Sequence, residues 1–166
     1  MFMARADSWV LLSYRLPRDP STPRITVWRN LKRLGVAQLA DALVALPADA
    51  RTREQLEWIA EQVAGFGGEA SIWLARPASL ALHGQVVSAM VAARTEEYRE
   101  VLHEAAEAAG LEERERRRVA ARLNAKLRRI KRRDFFPPAE RDQAHAAVHA
   151  LATAADVTPG AGRAPR

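Results

Sequence analysis

The hydrophobic period of the sequence changes at Pro77. Beyond this proline, apolar residues recur every three or four positions, as in helices, whereas before it short segments with a period of two alternate with helical ones. The segment SWVLLSYRLP (8–17) has the period of two: alternate residues from Val10 onward are all apolar, and those from Trp9 onward turn polar at the end. We therefore predict a strand here, within a mixed part of the chain that precedes a helical part.

Two helices are predicted between this strand and the change of period. The first runs through 24–34 and ends at Gly35. The second occupies 49–68, where Thr52 and Gln55 fit a capping box at its start. Both helices carry apolar residues at helical spacing, which predicts that each packs one face against the strands.

The other segments of the first part are short strands. Residues 36–47 fit two strands that meet near Ala40–Asp41, and 69–77 fits one more. The order is then strand, helix, two strands, helix, strand. This is the ferredoxin-like βαββαβ pattern, an antiparallel sheet with helices on one face, and it predicts an α+β fold. A winged-helix arrangement is the alternative, because it also combines short strands with helices.

Residues from about 79 to 154 are predicted to form three helices, with a break at the sequence FFPP. We expect a ferredoxin-like part over 1–77, a helical part packed on it over 78–156, and a flexible tail over 157–166. Phe135 and Phe136 are expected to pack beneath the preceding helix, although stacking on nucleic-acid bases is an alternative use for them.

Positive charge is concentrated in one predicted helix. The chain has a formal net charge of +6, which favours anionic partners such as nucleic acid. Residues 114–133 alone hold eleven Lys and Arg against one acid, so the rest of the chain is acidic overall. An apolar stripe on this helix is suited to docking it on the protein; it comprises Val119, Leu123, Leu127 and Ile130.

Most cations of this helix fall on one side, because they are spaced by three or four residues. We predict that they neutralise DNA phosphates, principally through Arg122, Lys126, Arg129 and Arg133. The line comprises Arg114, Arg118, Arg122, Lys126, Arg129 and Arg133, and it is widened by Arg117, Arg128, Lys131 and Arg132.

An internal role for these cations is the main alternative. The preceding stretch, 94–113, holds seven acids and two arginines, so an antiparallel pair of helices would set acid against base. The helix could equally dock an acidic partner protein or a separate sensor domain, which would make the chain an accessory module that does not bind DNA. A membrane surface is less favoured, because the apolar stripe is narrow and lacks interfacial aromatic residues.

A second basic group lies near the start of the chain; it is a candidate second line of DNA contacts, and the alternative is a solvated helix flank. Asn30 and Gln38 are weak candidates for reading base edges. The group comprises Arg15, Arg18, Arg24, Arg29, Lys32 and Arg33.

The motifs of an enzyme are missing. The sequence has no phosphate-cradling glycine loop and no nucleophile elbow, and it contains no cysteine for disulfides or thiolate chemistry. His145 and His149 have the i, i+4 spacing of metal ligands, but no further ligands join them. We therefore expect no enzyme activity, cofactor or metal. No apolar run approaches the roughly 20 residues of a membrane span, and the first residues make a poor signal peptide, so a cytoplasmic protein is expected.

Two blocks of the sequence carry a resemblance to a known family. The segment from WVLLSYRLPRDPSTP to EQLEWIAEQV (9–63) is similar to the N-terminal domain of ChrB, and LRRIKRRDFFPPAER (127–141) resembles the end of that domain. The resemblance implies a DNA-binding, chromate-responsive transcriptional regulator that represses a chromate efflux gene. ChrB proteins usually continue into a second domain, to which sensing is ascribed. Chromate, a dianion, could here sit among Arg15, Arg18 and Arg24.

The first block is also distantly similar to the central ferredoxin-like domain of PaaX-type repressors, which resembles CRISPR-associated nucleases. Those nucleases carry a metal-binding aspartate at the end of the first strand, where this sequence has Arg15. A cation in place of a carboxylate disfavours a Mg²⁺ site and hence a nuclease. The resemblance further implies a homodimer formed through the sheet, for which Trp9 and Leu11 are the predicted contact residues.

Overall fold

The computed structural model describes residues 7–154, which form an α+β fold as predicted. The predicted tail over 157–166 lies outside the described residues. In chain order the elements are β1 (Trp9–Arg15), α1 (Thr22–Leu34), β2 (Ala37–Ala40), β3 (Leu43–Pro47), α2 (Ala50–Gly65), β4 (Glu69–Ala75), α3 (Leu80–Ala108), α4 (Glu113–Lys131) and α5 (Glu140–Thr153).

The four strands form one antiparallel sheet in the order β2-β3-β1-β4. In the centre of the sheet, Leu12 of β1 lies between Val44 of β3 and Ile72 of β4. The βαββαβ order and this strand order together are the ferredoxin-like arrangement, which confirms that prediction over the winged-helix alternative. The turn between the two short strands also lies where it was predicted, next to Ala40–Asp41, and it includes Ala42 in a positive-φ conformation.

The chain divides into two compact units. Unit 1 comprises the residues up to Arg94 together with 132–137, and unit 2 comprises 95–131 and the residues from Pro138 onward. The division falls within α3, so this helix contributes residues to both units. The domain boundary expected at Pro77 stays a prediction.

The core of unit 1 lies on one face of the sheet, beneath α1 and α2. It is formed by apolar residues of one parity on β1 and β3 and by the inner faces of the two helices. Its fully buried members are Val10, Leu12, Val27, Leu31, Val44, Leu46, Leu56, Ile59 and Val63. The face of β1 predicted to be apolar is therefore the core face.

The opposite face of the sheet is partly covered from within unit 1. Trp9, only 3% exposed, clusters there with Ala37, Ala45 and Met90 of α3, and its indole donates to His83 Nδ1 at 3.3 Å. The expectation that Trp9 is available for a dimer contact is wrong, because α3 residues already cover it. Leu11 packs at the margin of the same cluster and is half-buried.

Helix α2 begins within one residue of the predicted start, but its capping box lies about one turn earlier than predicted. Asp49 is the N-cap, its carboxylate accepts from the Thr52 N–H at 2.7 Å, and the Thr52 hydroxyl accepts from the Asp49 N–H at 3.0 Å. The capping box is thus Asp49 with Thr52, and the predicted pair of Thr52 with Gln55 is wrong. Thr52 is fully buried, and its hydroxyl also donates to the Pro47 carbonyl, which satisfies this buried polar group and links the helix to β3.

Unit 2 has a core made only of helices. It is formed by the second half of α3, the inner face of α4 and the inner face of α5, with Tyr98 as its largest fully buried side chain. Leu123, Leu127 and Ile130 of the predicted docking stripe are all buried in it, and Val119 packs at its margin. The predicted stripe on α4 is therefore confirmed.

Candidate nucleic-acid interface

Helix α4 has one apolar side and one cationic side. It begins with Glu113 and Glu115 in its first turn and ends with three cations in its last turn. This order stabilises the helix, because acids interact favourably with the positive N-terminal end of the helix dipole and cations with its negative C-terminal end. Because Leu123, Leu127 and Ile130 point into the unit 2 core, the residues on the opposite side of the helix face away from that core.

The side of α4 nearest to α3 is neutralised by acids. Arg122 pairs with Glu104 at 2.9 Å, and Lys126 pairs with Glu104 at 2.8 Å and with Glu100 at 3.0 Å. The internal pairing that the sequence left open as an alternative is present for these two cations. Arg122 and Lys126 are thus already paired with acids, and an external anion would have to compete with Glu100 and Glu104 for them.

The pKa values of this cluster reflect the ion pairs. A hydrogen bond from Lys126 lowers the pKa of Glu104, burial opposes this shift, and the charges of Lys126 and Arg122 reinforce it. Burial by itself lowers the pKa of Lys126, but hydrogen bonds to Glu104 and Glu100 outweigh it, so the pKa is raised. Both groups are therefore held in their charged forms around neutral pH.

The outward side of α4 carries cations with no acidic partner. Arg114, Arg118, Arg128 and Arg129 are exposed, and none of them forms an ion pair among residues 7–154. We call these four residues the α4 basic face. Arg118 and Arg129 lie 11 residues apart, which corresponds to about 16 Å along the helix axis. Ala121 and Ala125 lie between them, so no bulky side chain separates the two ends of the face.

Two other arginines of α4 are occupied. Arg117 forms an ion pair with Glu113, one helical turn before it. Arg116 is only 6% exposed, and its guanidinium donates to the Leu111 carbonyl at 2.7 Å and to the Ala154 carbonyl at 2.8 Å. Arg116 therefore joins the start of α4 to the end of α5. Sequence reasoning missed this role, because a count of charges gives no sign of which arginine is buried.

The cations that follow α4 belong to unit 1. Arg133 is half-buried, its Cβ lies close to Gly35, and its carbonyl accepts from Arg94 at 3.5 Å. The prediction that Arg133 continues the exposed line of α4 is wrong, since the helix ends at Lys131. Arg132 is exposed.

The two phenylalanines after α4 also pack in unit 1. Phe135 packs against the residues of both unit 1 clusters, and Phe136 packs beside Trp9, with ring centroids 6.2 Å apart. Arg51 of α2 lies over the Phe135 ring at 5.9 Å. The expectation that both rings lie beneath the basic helix is wrong: they anchor the segment 132–137 to the ferredoxin-like unit. With both rings half-buried there, stacking on bases is also disfavoured.

The front group lies on unit 1, and all six of its cations are exposed. Arg15 pairs with Glu69 across β1 and β4 at 2.7 Å, so it is already neutralised at the place suggested for a dianion. Arg24 lies close enough to Tyr14 to oppose the rise in the pKa of Tyr14 that burial causes. Arg18 lies in the loop before α1.

The cations on α1 are partly explained by the helix itself. Lys32 and Arg33 occupy its last turn, where positive charge is favourable, and Lys32 lies over the Trp28 ring at 5.7 Å. Arg29 points outward. Asn30 donates to Gln62 of α2 at 2.9 Å, so its amide joins two helices and is not free to read a base. Gln38 lies exposed on β2.

No metal site is formed by the part of the chain that the structure describes: it holds no group of three or more His, Asp or Glu side chains placed to share an ion. His145 and His149 are exposed on α5. Within residues 7–154, none of the helices has the length and apolar character that crossing a bilayer requires. A groove of about 490 Å³ lies in unit 1 beside Trp9 and Leu11, and its lining is mainly apolar.

Comparison with known proteins bears on the fold and on this site. The family model described as the N-terminal part of Protein ChrB matches residues 24–110, from α1 to just beyond α3. Protein ChrB of Cupriavidus metallidurans is 30% identical over 134 residues, which is 78% of this chain and 41% of that relative. The chain thus spans less than half the length of this curated protein. No solved structure matches the chain significantly. The family match extends over more than half of the chain, which therefore belongs to the family of ChrB N-terminal domains.

Proposed function

We propose that this chain is a DNA-binding regulator of chromate resistance and that it contacts DNA phosphates through the α4 basic face. The observation that carries the proposal is the set of four exposed arginines, Arg114, Arg118, Arg128 and Arg129, which have no acidic partner among the described residues. Cations that are not neutralised by the protein release the counterions of a duplex when they bind it, and this release drives association.

The proposed contact set differs from the one suggested by the sequence. Arg118 and Arg129 remain in it, and Arg114 and Arg128 become primary contacts. Arg122 and Lys126 are secondary, because Glu100 and Glu104 hold them. Arg133 is excluded from it, because it is half-buried in unit 1.

Membership of the ChrB family supports the chromate part of the proposal. The chain aligns with less than half of its curated relative, so chromate is proposed as the signal of the regulatory system and no binding residues are assigned to it here. Phosphate contacts give affinity without sequence choice, so selection of an operator requires further contacts or DNA shape.

The proposal is tested by the salt dependence of DNA binding. Fluorescence anisotropy would compare the wild type with an Arg118→Ala/Arg129→Ala variant on promoter and random duplexes over a salt series. Each lost phosphate contact lowers the slope of log affinity against log salt by about 0.9, so the double variant should lose about 1.8 in slope and roughly 10- to 30-fold in affinity near physiological salt.

A matched control removes the same charge elsewhere. Arg53→Ala/Arg99→Ala deletes two exposed cations that pair with acids, one on α2 and one on α3, and it should leave the slope nearly unchanged. Equal slopes for the wild type and the α4 variant would overturn the assignment. If the wild type shows no salt-dependent binding to any duplex, the α4 basic face is better explained as a docking surface for an acidic protein. Added chromate then tests whether this chain alone responds to it.

A further inference from the structure

Strand β4 forms an outer edge of the sheet and has an apolar sequence. It is seven residues long, and in the described part of the chain its only strand neighbour is β1. Trp73 and Leu74 in its centre are 58% and 59% exposed. Neither lysine nor proline interrupts the segment EASIWLA.

Natural edge strands are usually protected against pairing with another chain. Short length, a charged side chain in the middle, a proline or a bulge prevents the addition of a further strand. None of these is found in β4, whose register with β1 is continuous from Glu69 to Ala75. The single charge within β4 is that of Glu69 at its start, and Arg76 directly follows its last residue. The edge is therefore open to a partner strand.

We propose that β4 pairs antiparallel with β4 of a second copy of this chain, in a register centred on Ile72. A two-fold axis perpendicular to the sheet relates two antiparallel copies of one strand and keeps each residue on its own face. Opposing residues must then share a face, which restricts the centre of the pairing to a residue and excludes a point between two residues. The proposal concerns self-association and does not depend on DNA binding.

The side chains favour Ile72 as the centre. In this register Ala70 faces Leu74 of the second copy on the core face, and Ser71 faces Trp73 of the second copy on the opposite face. Each large side chain then lies opposite a small one, and the two tryptophans become diagonal neighbours, about 7–8 Å apart between Cα atoms and within reach of aromatic side chains.

Charge favours the antiparallel arrangement of two copies. Glu69, which also pairs with Arg15 of its own chain, begins β4, and Arg76 directly follows the last residue of the strand, so an antiparallel copy brings the acid of one chain beside a cation of the other. A parallel copy would bring like charges together. This surface differs from the Trp9 and Leu11 contact expected from the sequence, because Trp9 is covered by residues of α3.

Two variants, each replacing one exposed tryptophan by lysine, test whether the β4 edge is the dimer surface. Trp73→Lys places a charge in the middle of the edge, and Trp58→Lys makes the same change at a tryptophan on α2 that is 56% exposed. Sedimentation equilibrium without DNA should show a dimer for the wild type and for Trp58→Lys, and a monomer for Trp73→Lys with unchanged circular dichroism. A monomeric wild type at high micromolar concentration overturns the proposal, and so does a Trp73→Lys variant that remains dimeric.

The register is tested by disulfide formation, since the chain contains no cysteine of its own. Directly opposed residues in an antiparallel pair have Cβ atoms about 4.5–5.5 Å apart, the closest approach available to a disulfide. Mild oxidation should therefore cross-link Ile72→Cys more efficiently than Leu74→Cys or the exposed control Trp58→Cys. Preferential cross-linking of Trp73→Cys or Leu74→Cys would refute the register, and cross-linking of Trp58→Cys alone would refute the surface. None of these readouts involves DNA, so failure here leaves the proposed function untouched.

Discussion

The two units of this protein have nearly the same charge balance but distribute it differently. Within the described residues, unit 1 holds twelve Lys and Arg against nine Asp and Glu, and unit 2 holds eleven against ten. In unit 1, α1 holds four cations and no acid, and the other acids and bases are spread over several elements. In unit 2 they are segregated: the α3 residues 95–108 hold five acids and one cation, whereas α4 holds nine cations and two acids. An exposed basic face without acidic partners among the described residues thus arises in the unit with the smaller net charge.

Some cations of α4 keep no acidic partner within the described part of the chain, because the acids of α3 contact only one side of this helix. The acids of α3 reach only the nearest flank of α4, where Arg122 and Lys126 lie. The α4 basic face lies beyond their reach, so its cations remain available to an external anion. In unit 1, by contrast, two of the six front cations are already occupied, because Arg15 pairs with Glu69 and Lys32 lies over an aromatic ring. We therefore expect charge removal to affect DNA binding unequally in the two units.

The largest expected effect separates the two basic groups directly. Replacing Arg114, Arg118, Arg128 and Arg129 by Ala should lower DNA affinity on the order of 10²- to 10³-fold near physiological salt and reduce the salt slope by about 3.6. The triple replacement of Arg29, Lys32 and Arg33 on α1 should reduce the slope by only about 1. Anisotropy titrations over a salt series measure both. Equal slope losses per removed charge would break the comparison, because the α1 group would then contact DNA as closely as α4.

The sequence was sufficient for the fold and for the existence of the basic helix, but not for which of its cations are exposed without an acidic partner among the residues that the structure describes. Periods of two and 3.6 predicted every element, because burial of one face imposes them. Spacing also predicted that Arg118 and Arg129 share a side of α4. It could not predict that α3 acids hold Arg122 and Lys126, since this depends on which flank meets α3 in the packed unit.

Two further errors, at Arg133 and at Trp9, have the same origin. Arg133 follows α4 in sequence and continues its spacing, but the helix ends at Lys131 and Phe135 and Phe136 fix the next residues in unit 1. Trp9 lies on the face of β1 opposite the core face, where the alternation predicts exposure, but residues from the first half of α3 cover it. Both outcomes depend on contacts between residues far apart in the chain, which a local pattern does not contain.

The next prediction concerns stability and compares a buried arginine of α4 with an exposed one. Arg116→Met should lower the free energy of unfolding by about 2–3 kcal/mol, because a hydrogen bond from a charged donor contributes roughly 1.5–3 kcal/mol and Arg116 donates to two carbonyls. Urea denaturation measures the change. Arg117→Met removes a neighbouring, exposed ion pair and should change stability by less than about 1 kcal/mol. If both variants lose the same stability, Arg116 does not join α4 to α5 as described.

In unit 1, a substitution at Gly35 tests whether the segment 132–137 packs against the end of α1. It ends α1 at a φ of 76°, and a Cβ atom there would lie 2.6 Å from Arg133 Cβ and 2.8 Å from the Arg133 carbonyl oxygen. Gly35→Ala should therefore destabilise the protein by about 1–3 kcal/mol. Gly65, at the end of α2, has no atom within 4 Å of its Cβ position, so Gly65→Ala should be neutral or slightly stabilising. A neutral Gly35→Ala would mean that the segment 132–137 does not pack against the end of α1.

The smallest expected effect tests whether the acids of α3 restrain part of α4. Glu104→Gln keeps the size of the side chain but removes the charge that holds Arg122 and Lys126, so DNA affinity should rise by a factor of about 2–3, through gain of part of one phosphate contact. Glu107→Gln removes an exposed acid from the same helix, one turn further on, and serves as the control for net charge. An equal gain from both variants would show that α3 acts only through its total charge.

The difference in stability between the wild type and Glu104→Gln should depend on pH. The pKa of Glu104 is lowered in the folded protein, chiefly by the hydrogen bond from Lys126, so its carboxylate stabilises the fold above its ordinary pKa. This contribution is lost as the pH falls through the lowered folded value. Urea denaturation should therefore show the wild type more stable than Glu104→Gln at neutral pH, by less than about 1 kcal/mol because the pair is partly exposed, and the difference should be lost as the pH falls below the ordinary pKa of a glutamate carboxyl and through the lowered folded value. A difference that persists in acid would mean that Glu104 stabilises unit 2 through packing, and the flank of α4 formed by Arg122 and Lys126 would then be held by something other than charge.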